Sequence, residues 1–353
     1  MPSNADDSGT RAVHFVGSFP AESIDDAMRV MLDGAGARLR TLPTGEVRRF
    51  EFYIQPIIED LRAQGVLEVS SPGDWESSRS RTLYRVPRGT RLTGDAMDLG
   101  YLREAREALP IFHKLREVSG HPDLRLQIGM PTDFTLAFIA MGPDGVRRHR
   151  RAFADATARE IRAVRDLAGD DVVFQLEATA ELLLLAKTHP LHRLTDLALG
   201  LGRKIAALAA AAPEGTRIGV HLCLGSMHNK ARAAPRAARP LVTLANSVAR
   251  HWPSGRTLEF VHGPLAAGDI PPSTDPGFYR PLRDLALGPG TAFYAGLIHD
   301  EVTDEQQVDT LRVVERALGR RVDGVASACG LGRRPRAIAE AMVTRAARVA
   351  DAP

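Results

Sequence analysis

Cysteine is scarce: the 353-residue chain has two, Cys223 and Cys329. That excludes a disulfide scaffold. With a cytosolic setting expected, both are read as reduced thiols, the state in which cysteine binds metals or acts as a nucleophile. Long apolar runs are also missing. The most apolar stretch, ELLLLAK at 181–187, falls far short of the roughly 20 residues that span a bilayer, so no membrane segment is expected. The opening MPSNADDSGTR lacks the basic, apolar and small-residue order of a signal peptide, and the expected location is the cytoplasm. No sign of charge dominates. Lys and Arg number 46 against 43 Asp and Glu, a net +3, and the arginines are interspersed with acids rather than gathered in a block. This argues against a nucleic-acid partner. No G-x-G-x-x-G follows the first strand-like run, so a dinucleotide-binding sheet lacks its usual mark.

What is present is the composition of a folded globular chain, 44% hydrophobic and 25% charged. Short apolar or β-branched runs recur, each ending in Gly, Pro or a polar residue and followed by an amphipathic stretch with apolar residues three and four apart. Strands are expected at 12–18, 38–43, 124–129, 171–176, 216–222, 256–261, 292–298 and 322–327. Helix-like segments such as SIDDAMRVML and DEQQVDTLRVVERAL separate them. Eight alternating units in a chain of this length predict an α/β fold, a single (β/α)8 TIM barrel over 12–350 after a disordered or extended 1–11. The polar segment at about 65–100 is too long for an ordinary barrel connection. It is expected to be an excursion over one end of the barrel, between the second and third strands. An open doubly wound sheet is the alternative.

In a (β/α)8 barrel the active site lies at the C-terminal ends of the strands. The fifth predicted strand ends in VHLCLG, where His221 and Cys223, two apart, point to the same side. Glu259 lies on the sixth strand and Cys329 follows the eighth. One nitrogen, two sulfurs and one carboxylate oxygen are a donor set suited to tetrahedral Zn2+. Taken singly, each cysteine reads equally as a small buried apolar residue and the histidine as a hydrogen-bonded strand end. The case for metal is that both cysteines of the chain fall just past predicted strands on the same face.

The chain resembles the C-terminal catalytic barrel of the cobalamin-independent methionine synthase family, within the methionine synthase and uroporphyrinogen decarboxylase superfamily. The resemblance rests on VGSFP at 16–20, TGEVRRFEFY at 44–53, QLEATA at 175–180, VHLCLG at 220–225, TLEFVHG at 257–263, AGLIHDEV at 295–302 and SACGLGRR at 327–334, in that order. It implies His221, Cys223, Glu259 and Cys329 as zinc ligands. It implies Ser18, Glu46 and Glu177 as the residues that hold an amino-acid thiol, homocysteine or a relative. A hydroxyl suits the α-carboxylate and two carboxylates suit the α-ammonium. The implied activity is methyl transfer to that thiol. His299, oriented by Asp300 or Glu301, is the candidate acid that protonates the leaving group. The chain departs from the family at Glu177, where the family has Asp followed by an acid and proline. The stretch TDFTLAFIAMG also lacks the family's tryptophan. The donor is therefore read as methylfolate or a methyl-corrinoid, free or on a carrier protein. Other zinc-thiolate alkyl transfers, such as epoxide opening by a coenzyme thiol, stay open, as does a barrel that only binds a ligand.

Overall fold

The structure is a computed structural model that describes residues 10–49, 52–77 and 80–353. The expectation for 1–11 falls, over 1–9, outside the described residues. Eight parallel strands form one sheet: β1 (Ala12–His14), β2 (Thr41–Pro43), β5 (Arg125–Pro131), β6 (Val172–Ala178), β7 (Arg217–Leu222), β8 (Thr257–Pro264), β9 (Ala292–Ile298) and β10 (Gly324–Ser327). Their order is β1-β10-β9-β8-β7-β6-β5-β2. A parallel bridge from Val13 to Leu39, just ahead of β2, brings the two edges together and nearly closes the barrel. β3 (Glu68–Ser71) and β4 (Leu83–Arg85) form a separate antiparallel pair between β2 and β5.

Helices follow the strands because the sequence starts and stops them locally. Ser23 accepts from the backbone N–H of Asp26 at the head of helix Ile24–Ala35. Thr303 and Gln306 form a reciprocal capping box at the head of Asp304–Leu318. The first helix buries Ala27, Met28, Met31 and Leu32, and it packs against helix Arg336–Ala350. Each fully buried Met or Leu there contributes about 1.5–3 kcal/mol. No described helix is long and apolar enough to cross a membrane.

Side chains inside the barrel fall into two kinds. Ala12, Val173, Phe260 and Tyr294 form a small apolar cluster of their own. Gly219 makes room for it, since a Cβ there would meet the Phe260 ring at 2.1 Å. The second kind is polar and fully buried. Gln127 Nε2 donates to the carbonyls of Phe15 and Val16 at 2.9 Å each, and Gln175 Nε2 donates to Val16 O at 2.6 Å and to Glu177 Oε1 at 2.9 Å. His14 Nε2 lies 3.0 Å from Gln175 Oε1. These amides pin the loop after β1, which carries Ser18, to the middle of the sheet.

Candidate metal centre

Register decides which side chains meet. β6, β7 and β8 are neighbours, with Glu177 opposite His221 and His221 opposite His262. Three buried polar residues therefore stand in a row near the C-terminal ends of the strands. Cys223 follows β7, its backbone N–H reaching Ala178 O at 3.4 Å. Cys329 follows β10 in a turn held by Ser327, whose hydroxyl donates to Cys329 O at 2.7 Å. The two sulfurs are 3.7 Å apart and unbonded. One ligand atom each from His221, Cys223 and Cys329 lies within 4.8 Å of the others.

The donor chemistry of this trio fits a metal. His221 Nδ1 is 2.6 Å from His262 Nδ1, while its Nε2 is buried without a hydrogen-bond partner among the described residues. An unpaired buried ring nitrogen beside two thiols is costly unless something takes its lone pair. Hydrogen bonding from the Cys223 thiol holds Cys329 well below the usual thiol range, assisted by His221 and the charge of Arg333, and the shared proton pushes Cys223 up. The lowering at Cys329 favours its thiolate, the form that binds metal.

Glu259, expected as a fourth ligand, is placed apart from the trio. The β7–β8 register shifts between Ile218 and Gly219, so Leu258 and Phe260 find partners and Glu259 is skipped. Its carboxylate turns to Arg217, 2.7 Å away near the start of β7, and does not join the trio. The residue that β8 brings level with His221 is His262. Neutral and fully buried, it is held well below the ordinary imidazole range by desolvation and then by its histidine neighbours. Sequence reasoning missed it because the strand was expected to end at 261, whereas β8 runs to Pro264.

Above the trio opens a cavity of about 330 Å³. Ser18, Glu46 and Glu177 all line it with the trio. Glu46 and Glu177 face each other over Gly129, where a Cβ would lie 2.9 Å from Glu46 Oε1 and 2.6 Å from Glu177 Oε1. Burial raises Glu46 to about 8, with Arg49 opposing and Glu177 adding repulsion. Burial likewise raises Glu177 to about 7. Glu46 Oε1 has no hydrogen-bond partner among the described residues, although the Arg49 guanidinium is 3.7 Å away. Glu46 also has φ of 49°, a strained value for a residue with a Cβ. So do Tyr53 (39°) and Trp75 (59°), which line the same cavity. Such strain concentrates at functional sites. Ser18 is seated by Gly330, where any Cβ would lie 2.1 Å from its hydroxyl. The remaining wall is apolar, from Phe52, Phe138, Ile139, Leu183 and Met227, with the cations Arg81, Lys187 and Arg232 along it.

His299 and Asp300, expected as the acid and its orienting partner, are also placed apart from the trio. Neither lines the cavity. His299 is buried, its Nε2 donating to Gly268 O at 2.9 Å and its Nδ1 accepting from Glu301 N–H at 3.1 Å. Asp300 receives Arg334 Nε at 2.9 Å. With both ring nitrogens bonded to backbone, His299 holds the loop after β9.

No family model matches the chain, and no curated protein matches it. Among solved structures it is similar to a B12-independent methionine synthase from Shewanella sp. W3-18-1 in complex with selenomethionine. That likeness has a TM-score of 0.60 and 14% identity, and covers 97% of each chain. This shows the fold. A methyltransferase from Methanosarcina mazei is more distantly similar, with a TM-score of 0.49, 12% identity, and 95% and 93% of the two chains covered.

Proposed function

We propose that this chain is a zinc-dependent methyltransferase that carries a methyl group to the sulfur of a small thiol, homocysteine or a close relative. The observation that carries the reading is the trio of buried His221, buried Cys223 and half-buried Cys329, with the unpaired Nε2 of the histidine, on the cavity wall at the C-terminal end of the barrel. Three protein ligands leave one position of a tetrahedron open, the arrangement of catalytic rather than structural zinc. Zinc bound there would supply a Lewis acid that favours the thiolate form of an entering thiol at neutral pH.

The chain's own residues do the rest. Glu46 and Glu177 offer converging carboxylates to an α-ammonium, whose charge relieves their mutual repulsion and draws both into the ionised form. Ser18 offers a hydroxyl for the α-carboxylate. The apolar wall excludes water from the sulfur and holds the donor's methyl group close, which is where much of the rate comes from. The donor is methylfolate or a methyl-corrinoid. The Shewanella structure was solved with selenomethionine, a methylated amino-acid selenoether, and an amino-acid product here agrees with that likeness.

The test is to load the purified protein with zinc and supply homocysteine with each methyl donor in turn. Zinc-dependent formation of a methyl thioether with one of them is expected. Full zinc occupancy without methyl transfer to any small thiol would overturn the activity while leaving the metal site.

A further inference from the structure

Resting on the zinc reading, we propose that His262 is a positioning residue that fixes which nitrogen of His221 faces the metal and couples that ligand to the loop carrying Cys329. The chain of donors admits one arrangement. Ser327 O can only accept, so His262 Nε2, 3.0 Å away, carries a proton. Neutral His262 then has a bare Nδ1, which accepts from His221 Nδ1–H across 2.6 Å. That leaves His221 Nε2, the buried nitrogen without a partner among the described residues, as the atom that faces the metal. The order is Nε2 of His221 at the metal, Nδ1–H to Nδ1 of His262, and Nε2–H to Ser327 O.

The geometry around His262 is built for this role. It is fully buried, and a Cβ at Gly296 would lie 2.7 Å from its Nε2, so β9 must carry glycine beside it. Its ring lies against His221 with centroids 4.7 Å apart. Ser327, which takes the proton of His262 on its carbonyl, also donates its hydroxyl to Cys329 O at 2.7 Å. One imidazole on β8 thus links the ligand on β7 to the turn after β10. Metal-binding histidines generally donate their second nitrogen to a carboxylate, carbonyl or water, and losing that partner costs about 10- to 100-fold in metal affinity.

The test uses the full chain and reads metal binding rather than turnover. Zinc affinity by chelator competition and the visible spectrum of the cobalt-loaded protein are compared for wild type, His262→Phe and His262→Gln. The phenyl ring keeps the volume and removes both nitrogens, while the amide keeps one acceptor and one donor. We expect His262→Phe to bind zinc about 10- to 100-fold more weakly with shifted cobalt bands, and His262→Gln to lose less. Folded His262→Phe with zinc affinity within about twofold of wild type, against that expected loss, would overturn the proposal.

Because the residue is fully buried, histidine-selective 15N NMR of wild type supplies a readout that needs no variant. His262 protonated on Nε2 and His221 on Nδ1 is expected, with or without metal. The opposite tautomer at His262 overturns the relay. A wild type that takes up no zinc would instead sink the proposed function, and the tautomers of the metal-free protein would still decide the relay.

Discussion

Glu46 carries a cost to the fold. Its carboxyl is buried, strained in φ and raised from an ordinary 4.5 to about 8. A group whose folded pKa is raised keeps its proton in the folded state after the unfolded chain has lost it. Stability therefore falls as pH climbs from about 4.5 towards 8. Glu46→Gln, which cannot ionise, is expected to match wild type near pH 5 and to exceed it near pH 8. The gain should be on the order of 4 kcal/mol by chemical denaturation. The same variant should bind an ammonium-bearing thiol more weakly. Equal stability at both pH values would mean that the carboxylate is not desolvated as described. His299→Asn is expected to leave zinc content unchanged and to cost about 1–3 kcal/mol of stability, because it frees buried backbone partners. Loss of turnover with no loss of stability would return His299 to the chemistry. Ser18, Glu46, Glu177, His221, Cys223 and Cys329 stand out in the sequence because each lies beside a strand end with a short recognisable pattern, and the structure gathers all six around one cavity. A histidine after a strand looks alike in sequence whether it faces the cavity or, like His299, is bonded to loop backbone.

At the scale of elements, the eight barrel strands were legible because each is an apolar run closed by a turn signal and followed by a helix. The β3–β4 pair was not, being polar and held mostly by backbone pairing. The β7–β8 register was not legible either. A shift of one place between Ile218 and Gly219 moves Glu259 out to Arg217 and sets His262 against His221, and no spacing within either strand announces a bulge. Gly129 on β5 illustrates how closely an element is fitted to the site. Gly129→Ala would push a methyl group between the two carboxylates at 2.6 and 2.9 Å. It is expected to raise the dissociation constant of the amino-acid thiol at least about tenfold while zinc content stays full, since a cramped site costs about 1–3 kcal/mol. Isothermal titration of the zinc-loaded variant checks it, and unchanged affinity would place the thiol elsewhere.

For the whole molecule, closure brings distant parts of the chain to one mouth. Ser18 near the first strand and Cys329 after the last are neighbours because β1 and β10 pair, with Leu331 N–H bonded to Ser18 O at 2.8 Å. Arg11, just ahead of β1, locks that seam through Glu315 at 2.7 and 2.9 Å and through the carbonyl of Ala350. The fold class followed from the alternation of strands and helices alone. The donor set did not, because it depends on which side chains the closed barrel places level with one another. The most direct test of the central claim is zinc-edge X-ray absorption on the zinc-loaded protein with and without homocysteine. The account predicts about one zinc per chain with two sulfur neighbours near 2.3 Å, rising to three when the thiol is added. Failure to retain zinc after reconstitution, or a sulfur count that homocysteine leaves unchanged, would contradict it.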